Sequence, residues 1–271
     1  MFRPCWAVWL SILWVPFGLP AQELRVHTRM LDLTHPGERP AVLAHSLTLF
    51  HAGKVYDYIS SMNEVTVYEP VHRRFTVLQV NAGVAAQVTQ DEVRRFLALA
   101  EEQAEQQAAA LVRQPEAAAQ LQWLQFQLRP EFEVRIDAET SRLWLSSPRC
   151  RYEVEALKPP EPAVAEAYLK YADAVAELNA VLHPYSLLPA PRLQLNAALR
   201  SQNWLPRTVR RVLEADRGSD LRAEHEWKWR LEELDRKFIA QWEAQLKRSD
   251  LRWLPFKQQQ REVLSNRLSQ R

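Results

Sequence analysis

The sequence predicts an α+β protein: an antiparallel sheet of about eight strands carries an inserted helical pair and is followed by a helical C-terminal region. Three observations lead to this fold class. Apolar and polar residues alternate with period two over 24–79 and 131–157, which is typical of half-buried strands. Residues 89–128 have helical spacing instead, and so does most of the chain after a proline-rich segment at 158–162.

The first 21 residues have the pattern of a secretory signal peptide. Arg3 supplies an early positive charge, an apolar run extends from Cys5 to Phe17, and a Leu-Pro-Ala sequence ending at Ala21 is the predicted cleavage site. The apolar run is shorter than the roughly 20 residues that a transmembrane helix needs. We therefore expect an exported, soluble protein, periplasmic or extracellular, without a stable membrane span. An uncleaved N-terminal anchor is the alternative.

The cysteine count and the charge distribution indicate which disulfides and which partners to expect. Cys150 is the one cysteine left after removal of the signal peptide, so the mature chain forms no internal disulfide. Residues 22–206 contain 18 basic and 22 acidic residues, whereas 207–271 contain 16 and 11. A basic tail after an acidic body is suited to docking on an anionic partner or on the body itself.

The sheet domain is predicted to span 22–158. Leu24 to Leu33 forms a first strand, and Ser46 to Gln79 forms an antiparallel meander with three short polar turns. Tyr56 and Tyr58 share one face, and Tyr68 joins them if the hairpin register allows it. The aromatic residues of this meander are the candidate ligand-binding residues, although cross-strand aromatic pairs also stabilise sheets without binding anything: Tyr56, Tyr58, Tyr68 and Phe75.

The helical insert is predicted over 89–128. Thr89 and Glu92 have the spacing of a capping box at its start. Pro115 interrupts the first helix, and a second helix runs to Leu128 before Pro130 ends it. Strands then return up to Leu157.

Residues 159–271 are predicted to be helical. A helix from Pro206 to Glu214 places three arginines on one face, which makes them a candidate anion-binding stripe: Arg207, Arg210 and Arg211. A long helix from Ser219 to Arg248 carries an aromatic stripe that begins at Trp227. Such a stripe packs in a core or pairs with a protein partner as in a coiled coil.

Several enzyme motifs are missing from the sequence. His225-Glu226 resembles the start of a zinc-protease helix, but Trp229 stands where the second histidine is needed. We find no Gly-x-Ser-x-Gly elbow, phosphate loop or dinucleotide fingerprint. The sequence therefore assigns no catalytic residue, metal or cofactor. The tail also lacks the concentrated charge of a nucleic-acid binder, so we expect no nucleic-acid partner.

Two resemblances add to this interpretation. The stretch "GKVYDYISSMNEVTVYEPVHRRFTVL" resembles a family of uncharacterised exported bacterial proteins, and this likeness implies no activity. "LFHAGKVYDYI" followed by "EVTVYEP" is more weakly similar to the half-barrel fold of periplasmic lipoprotein carriers, in which helices cover a sheet. That likeness implies binding of a lipid or acyl chain. The carriers begin with an N-terminal helix, which this sequence lacks.

We expect a non-enzymatic binding protein, with a lipid, another hydrophobic ligand or a protein partner lodged between sheet and helices. Two alternatives remain open. One is a hydrolase that uses acids and histidines around the meander turns, chiefly Asp57, Glu69 and His72. The other is a scaffold whose C-terminal helices bind a protein partner.

Overall fold

The computed structural model describes residues 23–35, 37–183, 186–214 and 218–269. The predicted signal peptide lies outside the described residues. The described chain is an α+β protein, as the sequence predicts. Its strands form one sheet.

The first six strands form an N-terminal meander in which each strand pairs antiparallel with the next. Their alternating apolar residues and short turns are the reason for this arrangement. Gly53, with φ of 74°, makes the turn between the second and third strands, where a residue with a side chain is disfavoured. The strands are β1 (Leu24–Asp32), β2 (Ala41–His51), β3 (Lys54–Ile59), β4 (Glu64–Glu69), β5 (Arg74–Gln79) and β6 (Val84–Thr89). The predicted antiparallel meander is confirmed.

A second meander completes the sheet. The remaining strands are β7 (Glu133–Asp137), β8 (Arg142–Ser146), β9 (Cys150–Leu157), β10 (Leu205–Leu213), β11 (Ser219–Lys228) and β12 (Arg252–Trp253). Strand β11 pairs antiparallel with β1, which joins the two meanders, and the short strand β12 lies parallel to β6 at the outer edge of the first meander. The order across the sheet is β12-β6-β5-β4-β3-β2-β1-β11-β10-β9-β8-β7.

Six helices connect or follow these strands in the described ranges. The predicted helical pair is present as the first two, and the capping box forms: the Thr89 side chain accepts from the Glu92 amide while the Glu92 carboxylate accepts from the Thr89 amide. The helices are α1 (Gln90–Leu111), α2 (Ala118–Leu128), α3 (Pro162–Leu182), α4 (Ala190–Ser201), α5 (Glu233–Leu246) and α6 (Phe256–Ser269).

The main core lies between one face of the sheet, here called the inner face, and the helices α1 to α4, and it also includes Phe256 of α6. The inner face carries Val26, Phe50, Phe75 and Val154, all of which are buried. Helix α3 crosses the joint between the meanders, because Tyr168 lies 6.4 Å from Phe50 of β2 and 4.7 Å from Trp227 of β11 between ring centroids. This helix therefore holds the two halves of the sheet together.

A second, smaller core covers the outer face of the sheet over β2 to β6. Helix α5 supplies Ile239 and Trp242, which pack on Leu49, Tyr56 and Val67. The indole of Trp242 lies 6.3 Å from the ring of Tyr56 and 5.7 Å from that of Tyr58. Both faces of β4 and β5 are thus covered, which explains why almost all of their residues are buried.

Two expectations are corrected by the structure. Over the described residues the sheet has twelve strands rather than about eight, and the segments predicted as helices after Pro206 and Ser219 begin with the strands β10 (Leu205–Leu213) and β11 (Ser219–Lys228). The reason is visible in β11, where Leu221, Ala223, His225 and Trp227 alternate with charged residues and so give period two. A helical interpretation places Trp227 in one stripe with residues of α5, but the two lie on different elements. Residues 159–271 therefore contribute three strands to the sheet.

We predict that the outer core depends on Trp242. Substitution Trp242→Ala should lower the free energy of unfolding by about 3–5 kcal/mol, the usual cost of truncating a buried tryptophan. The matched control is Trp253→Ala, at a position that is 48% exposed, which should cost well under half as much. Urea unfolding curves measure both, and equal losses at the two positions would contradict the packing of α5 on the sheet.

Candidate ligand-binding site

The four aromatic residues of the predicted ligand surface lie on opposite faces of the sheet. Tyr56 and Tyr58 point to the outer face and contact Trp242. Tyr68 pairs with Val55 across the ladder, so it points to the inner face, where its ring stacks on Phe75 at 4.6 Å. The hairpin register therefore does not allow Tyr68 to join the other two tyrosines.

These aromatic rings also have structural partners. The hydroxyl of Tyr56 donates a hydrogen bond of 2.7 Å to Glu243 of α5, and burial raises the pKa of this phenol above its ordinary value. Tyr56, Tyr68 and Phe75 are all buried. These contacts identify the three buried rings as part of the core.

The predicted arginine stripe does not form, because β10 is a strand. Neighbouring residues of a strand point to opposite faces. Arg210 points outward and pairs with Asp220 at 2.7 Å and Glu153 at 3.3 Å. Arg211 points inward, whereas Arg207 is exposed at an irregularity of the ladder. An anion site that uses all three side chains is excluded by this geometry.

The acids and histidines around the meander turns are scattered as well. Glu69 lies 3.0 Å from Arg74 and 4.0 Å from His72 in an exposed turn. Asp57 lies within β3 on the inner face, where its carboxylate accepts a hydrogen bond from the Thr48 hydroxyl. No group of three or more His, Cys, Asp or Glu side chains within the described ranges is placed to hold a metal ion.

A cavity of about 630 Å³ lies on the inner face, between the second meander and helices α3 and α4. Strands β1 and β9 to β11 form its floor, α3 forms one wall, and residues 186–192 form another. The lining is chiefly apolar, and its aliphatic side chains are Met30, Val175, Leu187, Leu188, Val209, Leu213 and Leu221, with several alanines between them. A hydrophobic molecule is the type of ligand that such walls favour.

A few polar groups face the same cavity. Arg192 comes from the first turn of α4 and Arg211 from β10, and both lie close enough to Tyr152 to lower the pKa of its phenol. Burial has the larger, opposite effect and raises that pKa to about 12. Beside it, burial raises the pKa of Cys150 to about 11, so this cysteine stays a neutral thiol and is a poor nucleophile.

A polar group that links the cavity to the first meander contains Asp57, Thr48 and Tyr171. The Thr48 hydroxyl donates to the Asp57 carboxylate at 2.9 Å, and the Tyr171 hydroxyl lies next to both. Burial raises the pKa of Asp57, which favours its neutral form. Burial also raises the pKa of Tyr171, and the nearby Asp57 adds to this effect.

His225 is a second buried polar group of the inner face. Its Nδ1 lies 2.8 Å from the Thr28 hydroxyl across the β1–β11 ladder. Burial, reinforced by Arg192, lowers the pKa of His225 to about 3, so the imidazole is neutral at ordinary pH. Its Nε2 is buried without a hydrogen bond. The partner of His225 is therefore a hydroxyl of the adjacent strand.

A larger cavity of about 830 Å³ lies between α1, α2 and the turn after β8. Long polar side chains dominate its rim, and they pair with one another, as Glu105 and Arg129 do at 3.3 Å. Its lining has few apolar side chains, so this cavity is the weaker candidate for a hydrophobic ligand.

Sequence reasoning missed the cavity because its residues come from distant parts of the chain. Met30, Tyr171, Arg192 and Arg211 lie on four different elements. One local signal was available: Tyr168 and Tyr171 are large residues one turn apart on an otherwise alanine-rich helix. Such a pair marks the side of α3 that faces the sheet.

We predict that Asp57 makes stability depend on pH. Because its pKa is raised on folding, the folded state binds the proton more tightly, and stability falls as pH rises above about 4. Asp57→Asn stays neutral and keeps an oxygen that accepts from Thr48. The melting temperature of this variant relative to the wild type should therefore increase between pH 4 and pH 7.

The control is Asp250→Asn, which removes an exposed carboxylate beside Arg248. The Arg248 guanidinium lowers the pKa of Asp250, so this variant should change little and in the opposite direction over the same pH range. If the Asp57→Asn difference stays constant with pH, the carboxyl is not held in the neutral form.

Comparisons with known proteins indicate no function, so the function has to be inferred from the geometry of the site. Neither protein-family models nor curated proteins yield a match to the chain.

None of the helices in the described ranges is long and apolar enough to cross a bilayer.

Proposed function

We propose that this chain is an exported, non-enzymatic protein that binds a hydrophobic ligand in the cavity between α3, α4 and the inner face of the sheet. Export is inferred from the signal-peptide pattern of residues 1–21. The ligand site is inferred from the cavity.

The observation that carries the proposal is the size and lining of this cavity. Its volume of about 630 Å³ falls within the range of roughly 300–1,000 Å³ that is usual for small-molecule sites. Such sites combine mostly apolar walls with a few polar groups that orient the ligand. Here Arg192, Arg211 and Tyr171 are those polar groups among aliphatic neighbours.

Helices α1 to α4 cover the inner face of the sheet, and this supports the proposal because the half-barrel lipoprotein carriers that the sequence weakly resembles also have helices over a sheet. In the described residues the first element is the strand β1 rather than a helix, which is a departure from those carriers. The likeness supports lipid binding as a class of function. The kind of lipid has to be inferred from the residues that line the cavity of this chain.

The hydrolase alternative has less support. Asp57 lies on the inner face, whereas Glu69 and His72 lie in a turn where Arg74 already pairs with the acid. The scaffold alternative also loses its main motivation, because Leu231 and Trp242 of the predicted stripe pack in the chain's own outer core.

We predict that filling the cavity abolishes binding. Ala176 of α3 and Ala223 of β11 line it, so Ala176→Phe and Ala223→Phe place a ring where the ligand would lie. Each variant should bind radiolabelled hexadecanol at least tenfold more weakly than the wild type in equilibrium dialysis.

The matched control is Ala163→Phe, which adds the same ring at an exposed position of α3. This variant should bind like the wild type. The proposed function is wrong if the wild-type protein binds no hexadecanol and releases no lipid on organic extraction, or if the cavity variants bind as well as the control.

A further inference from the structure

We propose that the ligand is an amphiphile with one apolar chain and an anionic head group, and that Arg192 and Arg211 bind the head group. This inference rests on the proposed function of the cavity and adds the chemical class of its ligand.

The charges of the lining point to an anion. Arg192 and Arg211 face the cavity, and no aspartate or glutamate lines it among the residues that the structure describes. His183 lies at the C-terminal end of α3, where Glu64 is 3.7 Å away. The cavity is therefore positively charged at one place and apolar over most of the remainder.

Neither arginine has a carboxylate partner in the described part of the chain. Arg192 donates from Nε to the Asn196 side chain at 3.1 Å, which satisfies one of its five N–H groups. The Nε of Arg211 is buried and makes no hydrogen bond. By contrast, the adjacent Arg210 has two acidic partners on the outer face.

An arginine that is partly removed from water without a counter-charge lowers stability, and an anion that binds it relieves this cost. The two guanidinium groups lie on different walls of one cavity and both act on Tyr152. They are thus placed to approach one head group from two sides. The planar guanidinium suits a carboxylate or a phosphate, each of which presents several acceptor oxygens.

The start of α4 adds to this positive potential. Arg192 lies in the first turn of this 12-residue helix, and Pro189 and Pro191 also line the cavity. The N-terminal end of a helix carries a partial positive charge that stabilises a nearby anion. The helix end and the two side chains therefore favour the same sign of ligand charge.

The remaining walls select for an apolar chain. Met30, Val175 and Leu221 face the cavity beside alanines of α3 and β11. A small hydrophilic anion would leave these surfaces in water, whereas a hydrocarbon chain would bury them. The ligand that satisfies both parts of the lining is an amphiphile.

The test compares hexadecanoate with hexadecanol, which has the same chain and no charge, at pH 8. The wild-type protein should bind hexadecanoate at least tenfold more tightly. The double variant Arg192→Gln/Arg211→Gln should lose this preference, while its affinity for hexadecanol changes less than threefold. Arg207→Gln, an exposed arginine of the same strand, is the matched control and should keep the preference.

Further ligands define the head group and the need for a chain. Hexadecyl phosphate should also bind more tightly than hexadecanol if the arginines recognise any oxyanion. Acetate and inorganic phosphate, each at about 10 mM, should not displace hexadecanoate, because they lack the hydrocarbon chain.

Each outcome has a distinct meaning. Equal binding of hexadecanoate and hexadecanol by the wild type would overturn the anionic head group and leave the hydrophobic site intact. Binding of neither would overturn the proposed function. Displacement by acetate or phosphate would overturn the amphiphile in favour of a free anion. The wild-type comparison decides the head-group question even if the double variant fails to fold.

Discussion

The pairing of β1 with β11 is the contact on which the rest of the structure depends. Residues Arg25 to Asp32 pair antiparallel with Lys228 to Leu221, and this ladder joins two meanders that are each built from neighbouring strands. Side chains reinforce it on both faces, through Thr28 with His225 on the inner face and Arg29 with Glu224 on the outer face. Because α3 packs across this joint, the floor and the wall of the cavity both require the ladder to form.

The alternation of side chains along the strands then divides the molecule into two environments. On the inner face the apolar residues pack with helices α1 to α4 and with Phe256 of α6, and the space left between α3, α4 and the second meander becomes the cavity. On the outer face α5 covers the first meander, while β10 and β11 carry salt bridges such as Arg210–Asp220. Neighbouring arginines of β10 therefore differ in their surroundings. Arg210 is paired with acidic side chains on the outer face, whereas Arg211 faces the cavity on the inner face.

The sequence predicts the parts of this fold that depend on local signals. The meander from Ser46 to Gln79 and the capping box at Thr89 are such parts, because alternation, turns and caps act over a few residues. Strand β11 was missed although it alternates with period two, because Trp227 also has helical spacing to the apolar residues that follow it in the sequence. The cavity was not predictable in the same way, because it needs Met30, Tyr171 and Arg211 to meet across long stretches of chain.

Native-state hydrogen exchange of the backbone amides measures this single-sheet architecture most directly. If β1 and β11 join the two meanders, the amides of Val26 and His225 exchange only when the whole sheet unfolds, as slowly as those of Val67 in β4. If the amides of β11 exchange much faster than those of β4, the two meanders unfold independently, and the cavity between α3 and the second meander has no fixed floor.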